Sequence, residues 1–168
     1  MKKQPIRNQI VEHLTRLGDV SIHNVSKKSD TAAQTYHYHS NVEVLIVKRG
    51  WAEGLVGAIQ GKLQQGMIVV LGSDVPHCVL RTSDDCSVLL LHIPSELFKW
   101  DEERFPELHH GIEFIRLCKS GIVYNDAEFA AKITRLAGKI ASAEECMRMS
   151  LLMQLLHLLS TTSPTAAL

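Results

Sequence analysis

Short apolar runs separated by turn-forming residues fill the first two-thirds of the chain. Each run has the length of a strand and is rich in β-branched or aromatic residues, as β-strands are. Clusters of Gly, Asn, Asp and Ser lie between the runs at the density expected of a small barrel or sandwich. We therefore predict strands at 20–25, 34–39, 42–48, 51–59, 67–71, 78–81 and 87–93.

Helical spacing of apolar residues appears on either side of this β-rich region. Segment 7–17 has apolar residues three and four positions apart, and segment 106–118 repeats the pattern beyond Pro94. Gly121 follows the second segment, as glycine often follows the end of a helix. We predict a helix in each segment, one before the barrel or sandwich and one after it.

Two capping patterns mark a pair of helices near the C-terminus. Asn125 is followed three residues later by Glu128, and Ser142 is followed in the same way by Glu145. In this arrangement the two side chains accept hydrogen bonds from the free backbone N–H groups at the start of a helix. The patterns predict that one helix begins directly after each cap.

These two helices carry apolar seams that favour a partner surface. The first seam has the three- and four-residue period of helix packing, and the apolar arc of the second is wider than contact with a barrel requires. The alternative is a helix pair that packs only against its own barrel. The predicted dimer-interface residues are Phe129, Ile133, Leu136, Ile140, Met149, Leu152, Leu156 and Leu159.

Charge and hydropathy exclude several classes of protein. The 18 Lys and Arg residues balance 18 Asp and Glu residues, and no basic stripe could follow a phosphate backbone. The apolar runs are far shorter than the ~20 residues of a membrane span. The first residues also lack the apolar core of a signal peptide. We expect a cytoplasmic protein with neither a membrane nor a nucleic-acid surface in these residues.

The four cysteines, at positions 78, 86, 118 and 146, lie far apart and form no C-x-x-C pair. Their spacing excludes a zinc-finger or thioredoxin-type motif. Reduced and mostly buried thiols are the favoured interpretation, which agrees with a cytoplasmic location. A disulfide between some pair remains open at this stage.

A histidine and carboxylate cluster is the feature with the clearest chemistry. His37, His39 and Glu43 are two and four residues apart, so on a strand their side chains project from one face. Such donors suit Zn, Fe, Mn, Ni or Co, and a divalent ion would compensate for the buried charge of Glu43. His77 follows the strand at 67–71 and a turn that returns the chain to the sheet, so we predict it as the fourth metal ligand.

The same residues carry a resemblance to the cupin family. His37, His39 and Glu43, with Gly50 six residues farther on, resemble the first cupin motif, and segment 66–77 resembles the second. The resemblance implies that all four positions that bind metal in metal-dependent cupins are retained. The sequence departs from the motifs in turn positions and one pocket wall, at Thr31, Gly72, Asp74 and Arg81.

A narrower resemblance is to the sensing domains of AraC-type transcription regulators, and it extends from about residue 21 to residue 160. Besides the His-x-His-x-x-x-Glu strand, it includes Gly-x-Ile-x-x-Leu-Gly-x-x-x-Pro-His at 66–77 and Pro-Ser-Glu-Leu-Phe at 94–98. A Ser-Gly-Ile turn at 120–122 and a leucine-rich helix pair complete it.

This resemblance implies a mainly β fold, a cupin double-stranded β-helix or jelly-roll barrel followed by a C-terminal α-helical segment. The barrel with its N-terminal extension would occupy 1–98, the helical dimerisation segment 99–160, and a linker toward a DNA-binding domain absent from this chain 161–168. The domain would form a homodimer and sense a small polar effector, for example a sugar. Proximity in such a barrel makes Trp51, Cys78, Arg81 and His92 candidate ligand-binding residues.

Three alternatives stay open beside this interpretation. The histidines and Glu43 could form a hydrogen-bonded polar network without an ion. The chain could be a metal-dependent cupin enzyme, such as a dioxygenase or isomerase, with the same four ligands at its catalytic centre. It could also be a stand-alone carbohydrate- or metal-binding module. Sensing is favoured over catalysis because no further acid and base residues accompany the ligands.

Overall fold

A computed structural model describes residues 21–26, 36–99 and 102–168. The helix predicted at 7–17 and the start of the strand predicted at 34–39 lie outside these residues. The rest of that predicted strand is wrong, because residues 36–39 form only an isolated bridge at His37. The strands are β1 (Ser21–Ser26), β2 (Val42–Arg49), β3 (Trp51–Val56), β4 (Ile59–Gln64), β5 (Met67–Leu71), β6 (His77–Thr82), β7 (Ser87–Ile93), β8 (Ile122–Asn125) and β9 (Ala166–Ala167), and the α-helices are α1 (His109–Leu117), α2 (Ala127–Ser142) and α3 (Glu145–Thr161).

The strands form two antiparallel sheets. The larger has the order β1-β7-β2-β5-β8-β9, and the smaller has the order β4-β3-β6. Helices α1 and α2 both contact α3. No helix in the described ranges is both long and apolar enough to cross a membrane.

Strand β2 lies at the centre of the molecule, and residues 42–47 along it are buried without a break. Val44 and Ile46 belong to an apolar cluster shared with the helices, whereas Leu45 and Val47 pack with Ala52 of the smaller sheet. A strand covered on both faces has no polar side to expose, which explains its continuous apolar run. The larger sheet is therefore the middle layer between the helices and the smaller sheet.

The helix starts are close to their predicted positions, but both predicted caps are wrong. Asn125 is the last residue of β8, and the N-cap of α2 is Asp126, whose Oδ1 accepts a hydrogen bond from the Phe129 amide at 2.9 Å. Ser142 ends α2, and Glu144 is the N-cap of α3. Asn125 is drawn into the sheet by pairing of β8 with β5, and this long-range contact overrides the local capping pattern.

The seam predicted as a dimer interface is used inside the chain. Of its eight residues, seven are buried and only Met149 is partly exposed. The others face the larger sheet, because the apolar side chains of β2, β5 and β7 provide the surface that the seam requires. They are Phe129, Ile133, Leu136, Ile140, Leu152, Leu156 and Leu159. These buried side chains therefore supply no surface for a second subunit.

Two other segments differ from their predictions. The strand predicted at 51–59 is a hairpin of β3 and β4 that turns at Gly57, where φ is +55°. The segment at 161–168, predicted as a linker, returns to the sheet. The Thr165 amide donates to the Val123 carbonyl at 2.8 Å, and the Leu168 amide donates to the Gly121 carbonyl at 2.9 Å. The chain end is thus docked as the edge strand β9 beside β8.

Candidate metal centre

Neighbouring strands bring Glu43 and several histidines together between the two sheets. Glu43 faces away from the helices, because the adjacent Val42 and Val44 on β2 point toward them. His92 lies directly opposite Glu43 in the register of β2 and β7. His77 is the first residue of β6 in the smaller sheet, so it approaches the carboxylate from the opposite layer.

Backbone hydrogen bonds fix His37 against β6 and His39 against the turn that precedes β6. His37 and His77 form an isolated antiparallel bridge, with N···O distances of 3.0 and 2.8 Å. The His39 carbonyl accepts a hydrogen bond from the Asp74 amide at 2.8 Å. Asp74 has a φ of +62°, a left-handed conformation that Asp tolerates better than most residues. This turn holds the ligand-bearing segments together.

Three imidazole Nε2 atoms converge on a single carboxylate oxygen. Glu43 Oε2 lies 2.8 Å from Nε2 of His92, 3.2 Å from Nε2 of His39 and 3.6 Å from Nε2 of His77. The Glu43 side chain is only 4% exposed, so protein groups must meet its charge. The last of the three separations is too long for a hydrogen bond.

The other ring nitrogens fix the proton positions of two histidines. Nδ1 of His77 lies 2.8 Å from the Val75 carbonyl, and Nδ1 of His39 lies 3.1 Å from the Asn41 carbonyl. A carbonyl only accepts, so each Nδ1 must carry a proton and donate it. In the neutral rings both Nε2 atoms then present a lone pair toward Glu43. Positive charge at the centre, from protons on the rings or from a metal ion, would relieve the repulsion between these lone pairs and the carboxylate.

The pKa values follow from the same geometry. Burial raises the pKa of Glu43, but its interactions with His39, His77 and His92 outweigh burial and hold the pKa well below its usual range. Burial lowers the pKa of His77, while the neighbouring carboxylate and the Val75 carbonyl raise it to a net increase. Both shifts favour an ionised Glu43 next to a cation.

The donor set fits a divalent metal ion. The ligand atoms of His37, His39 and His77 all lie within 4.8 Å of one another, and so do those of His39, Glu43 and His92. His77 Nε2 is a buried side-chain nitrogen without a hydrogen-bond partner among the described residues. A buried polar atom left in this way is costly unless something binds it. The N–H···O=C contacts at Nδ1 also orient the rings as in many protein metal sites.

A small cleft shares one residue with this group of ligands. Its volume is about 180 Å³, and one of the ligand histidines, His37, forms part of its wall. The hydroxyl of Tyr36 donates to the Gly57 carbonyl at 2.9 Å, which fixes this wall to the β3–β4 turn. A second, apolar gap between the larger sheet and the helices holds only about 10 Å³. The cleft is lined by Tyr36, His37, Tyr38, Asp74 and Pro76.

Solved structures share this arrangement of sheets and helices. The AraC-like transcriptional activator CuxR is 10% identical over 88% of this chain and 51% of its own, with a TM-score of 0.50. The apo K231A form of ToxT from Vibrio cholerae strain SCE256 is 13% identical over 84% of this chain and 52% of its own, with a TM-score of 0.54. The chain has the fold of AraC-like regulators. It spans about half the length of each.

The AraC-like fold confirms the predicted fold class, a mainly β cupin-type core followed by a C-terminal helical segment. No family model matches the chain, and the search of curated proteins also finds no match. Wild-type ToxT from the same strain with an unsaturated fatty acid bound aligns at 15% identity over 83% of this chain and 51% of its own, with a TM-score of 0.49.

Within this AraC-like fold, three of the four predicted ligand-binding residues lie apart from the histidines. Arg81 is four residues farther along β6, where its Nη2 contacts Glu53 Oε2 at 2.7 Å. Trp51 is at the far end of β3, and Lys62 Nζ lies 4.1 Å from the centre of its ring. Cys78 follows the histidine that begins β6, so its side chain points to the other face of the strand.

His92, the fourth predicted ligand-binding residue, belongs to the centre itself. The signal for it was present in the sequence, since His92 interrupts the apolar run at 88–93 in strand β7. What the sequence did not provide is the register that pairs it with Glu43, 49 residues away. The cleft residues Tyr36, Tyr38, Asp74 and Pro76 were also missed as a group. They meet through the bridge between His37 and His77, a long-range contact without a local pattern.

Proposed function

We propose that the chain is the effector-sensing domain of an AraC-type transcription regulator, and that it binds a small polar ligand at a divalent metal ion. One observation carries the proposal. The Nε2 atoms of His39 and His77 face the buried carboxylate of Glu43 while their Nδ1 atoms donate to backbone carbonyls. A cation at this point would bind both lone pairs and the carboxylate together.

The predicted ligands His37, His39, Glu43 and His77 would hold the ion. Imidazole and carboxylate donors suit Zn, Fe, Mn, Ni and Co, and an ion of this kind would act as a Lewis acid with a position open to an outside ligand. The open position would accept the hydroxyl or carboxylate oxygen of the effector. His37 would connect metal binding with effector binding, because it belongs both to the metal donors and to the wall of the cleft.

Cleft size and polarity support a small polar effector such as a sugar or a related metabolite. A volume of about 180 Å³ is below the ~300 Å³ at which pockets for drug-sized ligands begin. Tyr36, Tyr38 and Asp74 provide hydroxyl and carboxylate groups at its wall. The apolar gap beneath the helices has only about 10 Å³ of space, which disfavours a long acyl chain there.

Regulation of transcription would require parts outside this chain. We propose that a DNA-binding domain follows in a cytoplasmic full-length protein and that the regulator acts as a homodimer. The dimer contact would use the outer surface of the helices, because their inner seam is buried. Met147 on α3 is 62% exposed and is an apolar residue on that surface.

A metal-dependent cupin enzyme is the second candidate function. The same donors and the adjacent cleft would give a dioxygenase or isomerase substrate access to the ion. Turnover that requires metal and disappears in His77→Gln would favour this candidate. Turnover that persists in metal-free protein would instead point to a contaminant.

Metal analysis of wild-type protein and matched variants tests the proposal. Protein purified without chelator should contain about one transition-metal ion per chain, and His39→Gln and His77→Gln should each lower the affinity by more than about tenfold. His110→Gln is the control, because His110 is exposed on α1. Folded wild-type protein that takes up none of the five metals on reconstitution would contradict the proposal.

The effector is tested by thermal unfolding. Sugars, hydroxy acids and a long-chain fatty acid are added in turn to metal-loaded and metal-stripped protein. Bound ligand stabilises the folded state by ~2.7 kcal/mol at a hundred times Kd. We expect a polar ligand to raise the Tm only with metal present. Stabilisation by the fatty acid alone, equal in both forms, would overturn the assignment of the polar cleft as the effector site.

A further inference from the structure

His92 is placed differently from the four predicted metal ligands. It is on β7, directly across the strand pair from Glu43, and its Nε2 lies 2.8 Å from Glu43 Oε2. The His92 side chain is 15% exposed, and its ring centre lies 5.1 Å from that of His39 in an edge-on arrangement. The ring therefore belongs to the same enclosed group.

Three distances, all measured from Glu43 Oε2, match those between donors of one ion. Metal–nitrogen bonds are ~2.1 Å long, so neighbouring ligand atoms around one ion are separated by ~3 Å. Separations from Glu43 Oε2 to Nε2 of His92, His39 and His77 are 2.8, 3.2 and 3.6 Å, which bracket this value. His92 fits this spacing at least as well as the two predicted histidines.

The donors form two sets that share one residue. His37, His39 and His77 make the first, and His39, Glu43 and His92 make the second. The first set contains both histidines of the His37–His77 bridge, and the second spans β2 and β7. The five residues are not one group with all ligand atoms within 4.8 Å of one another, so the two sets are joined only through His39 and through the approach of His77 Nε2 to Glu43 Oε2. A single ion bound to both sets would have five protein donors.

We propose that His92 is a fifth protein ligand, so that the centre holds a six-coordinate ion with one position left for the effector. This inference rests on the proposed metal function and makes it more specific. Five donors exceed the four of a closed tetrahedral zinc site, and they favour Fe, Mn, Ni or Co. Four imidazoles among the donors further favour Ni and Co over Mn, which prefers oxygen ligands.

Cobalt titration of the full chain tests this inference. Co²⁺ is added to metal-free wild-type protein, to His92→Gln and His92→Asn, and to His110→Gln as the exposed control. Either change at His92 should lower Co²⁺ affinity at least about tenfold. X-ray absorption of the loaded protein should count one imidazole fewer than in wild type. Thermal unfolding of each metal-free variant verifies that it is folded.

The outcomes separate the inference from the proposed function. Wild-type affinity and an unchanged imidazole count in a folded His92→Gln would overturn the inference and leave the four-ligand site intact. Weaker binding with an unchanged imidazole count would also overturn it, because His92 would then only position Glu43. A folded wild-type protein that takes up no Co²⁺ or other metal would contradict the proposed function instead.

Discussion

The two faces of the larger sheet are built on opposite principles although they share strand β2. On the helical face, Val44 and Ile46 pack into an apolar cluster with the helices. On the opposite face, one residue away in sequence, Glu43 is surrounded by histidines at defined distances. Side-chain volume and burial determine which substitutions the helical face tolerates. Charge and the geometry of the donor atoms determine which substitutions the histidine face tolerates. The helical face should therefore control folding and the histidine face binding.

The largest expected effect comes from placing a charge on the helical face. Leu156 is 7% exposed and packs against Gly111 of α1. Leu156→Glu buries an unpaired carboxylate, and we expect a loss of ~4 kcal/mol or more in the free energy of unfolding. Circular dichroism during thermal unfolding measures the loss. Gln64→Glu is the control at an exposed position of β4, away from the helices, and should change stability little.

Sedimentation of the Leu156→Glu and Met147→Glu variants tests where the dimer contact lies. A folded but monomeric Leu156→Glu protein in sedimentation would restore the seam as an interface. An unfolded Leu156→Glu protein, with a Met147→Glu variant that is folded but monomeric, agrees with a contact on the outer surface of the helices. The apolar pattern alone could not make this distinction, because a seam has the same period whether it packs on its own sheet or on a second subunit.

Sequence reasoning succeeded where local pattern determines structure and failed where long-range pairing does. The buried strands β2, β5 and β7 follow from their apolar runs. Of the three spaced ligands only Glu43 lies on a strand, because His37 forms an isolated bridge and His39 lies in the irregular segment before β2. Strand β4 was missed because it is polar and almost fully exposed. Its sequence, IQGKLQ, contains no apolar run that would predict a strand. The position of His92 in the centre depends on register between distant strands, which one sequence does not specify.

A smaller effect is expected from two tyrosine hydroxyls, one on each side of the sheet. Tyr124, which is 1% exposed, donates to the Leu159 carbonyl at 2.6 Å, and Tyr36 donates to the Gly57 carbonyl in the cleft wall. Tyr124→Phe leaves a buried carbonyl without its partner and should cost about 1–2 kcal/mol. Tyr36→Phe should cost less, because water in the cleft can replace the hydroxyl. Equal losses in urea unfolding would contradict this difference between the faces.

The smallest expected effect is a change in the pH dependence of stability when metal is removed. The pKa of His77 is raised, so its proton stabilises the metal-free protein fully below the unfolded value of ~6.5. That contribution is lost as pH rises through the raised pKa. The pKa of Glu43 is lowered, so its contribution is present above ~4.3 and is lost only as pH falls through the depressed pKa. Metal-free stability should therefore decline above neutral pH.

Metal should reverse this decline. An ion takes the place of the proton at His77, and metal binding strengthens as the competing protons leave. Urea midpoints measured from pH 5 to 9 should therefore diverge with rising pH, with the loaded protein the more stable. His77→Gln should remove both the decline and the divergence. Parallel curves for loaded and metal-free protein would mean that proton and ion do not share one position, and the charge at Glu43 would then be balanced by protons alone.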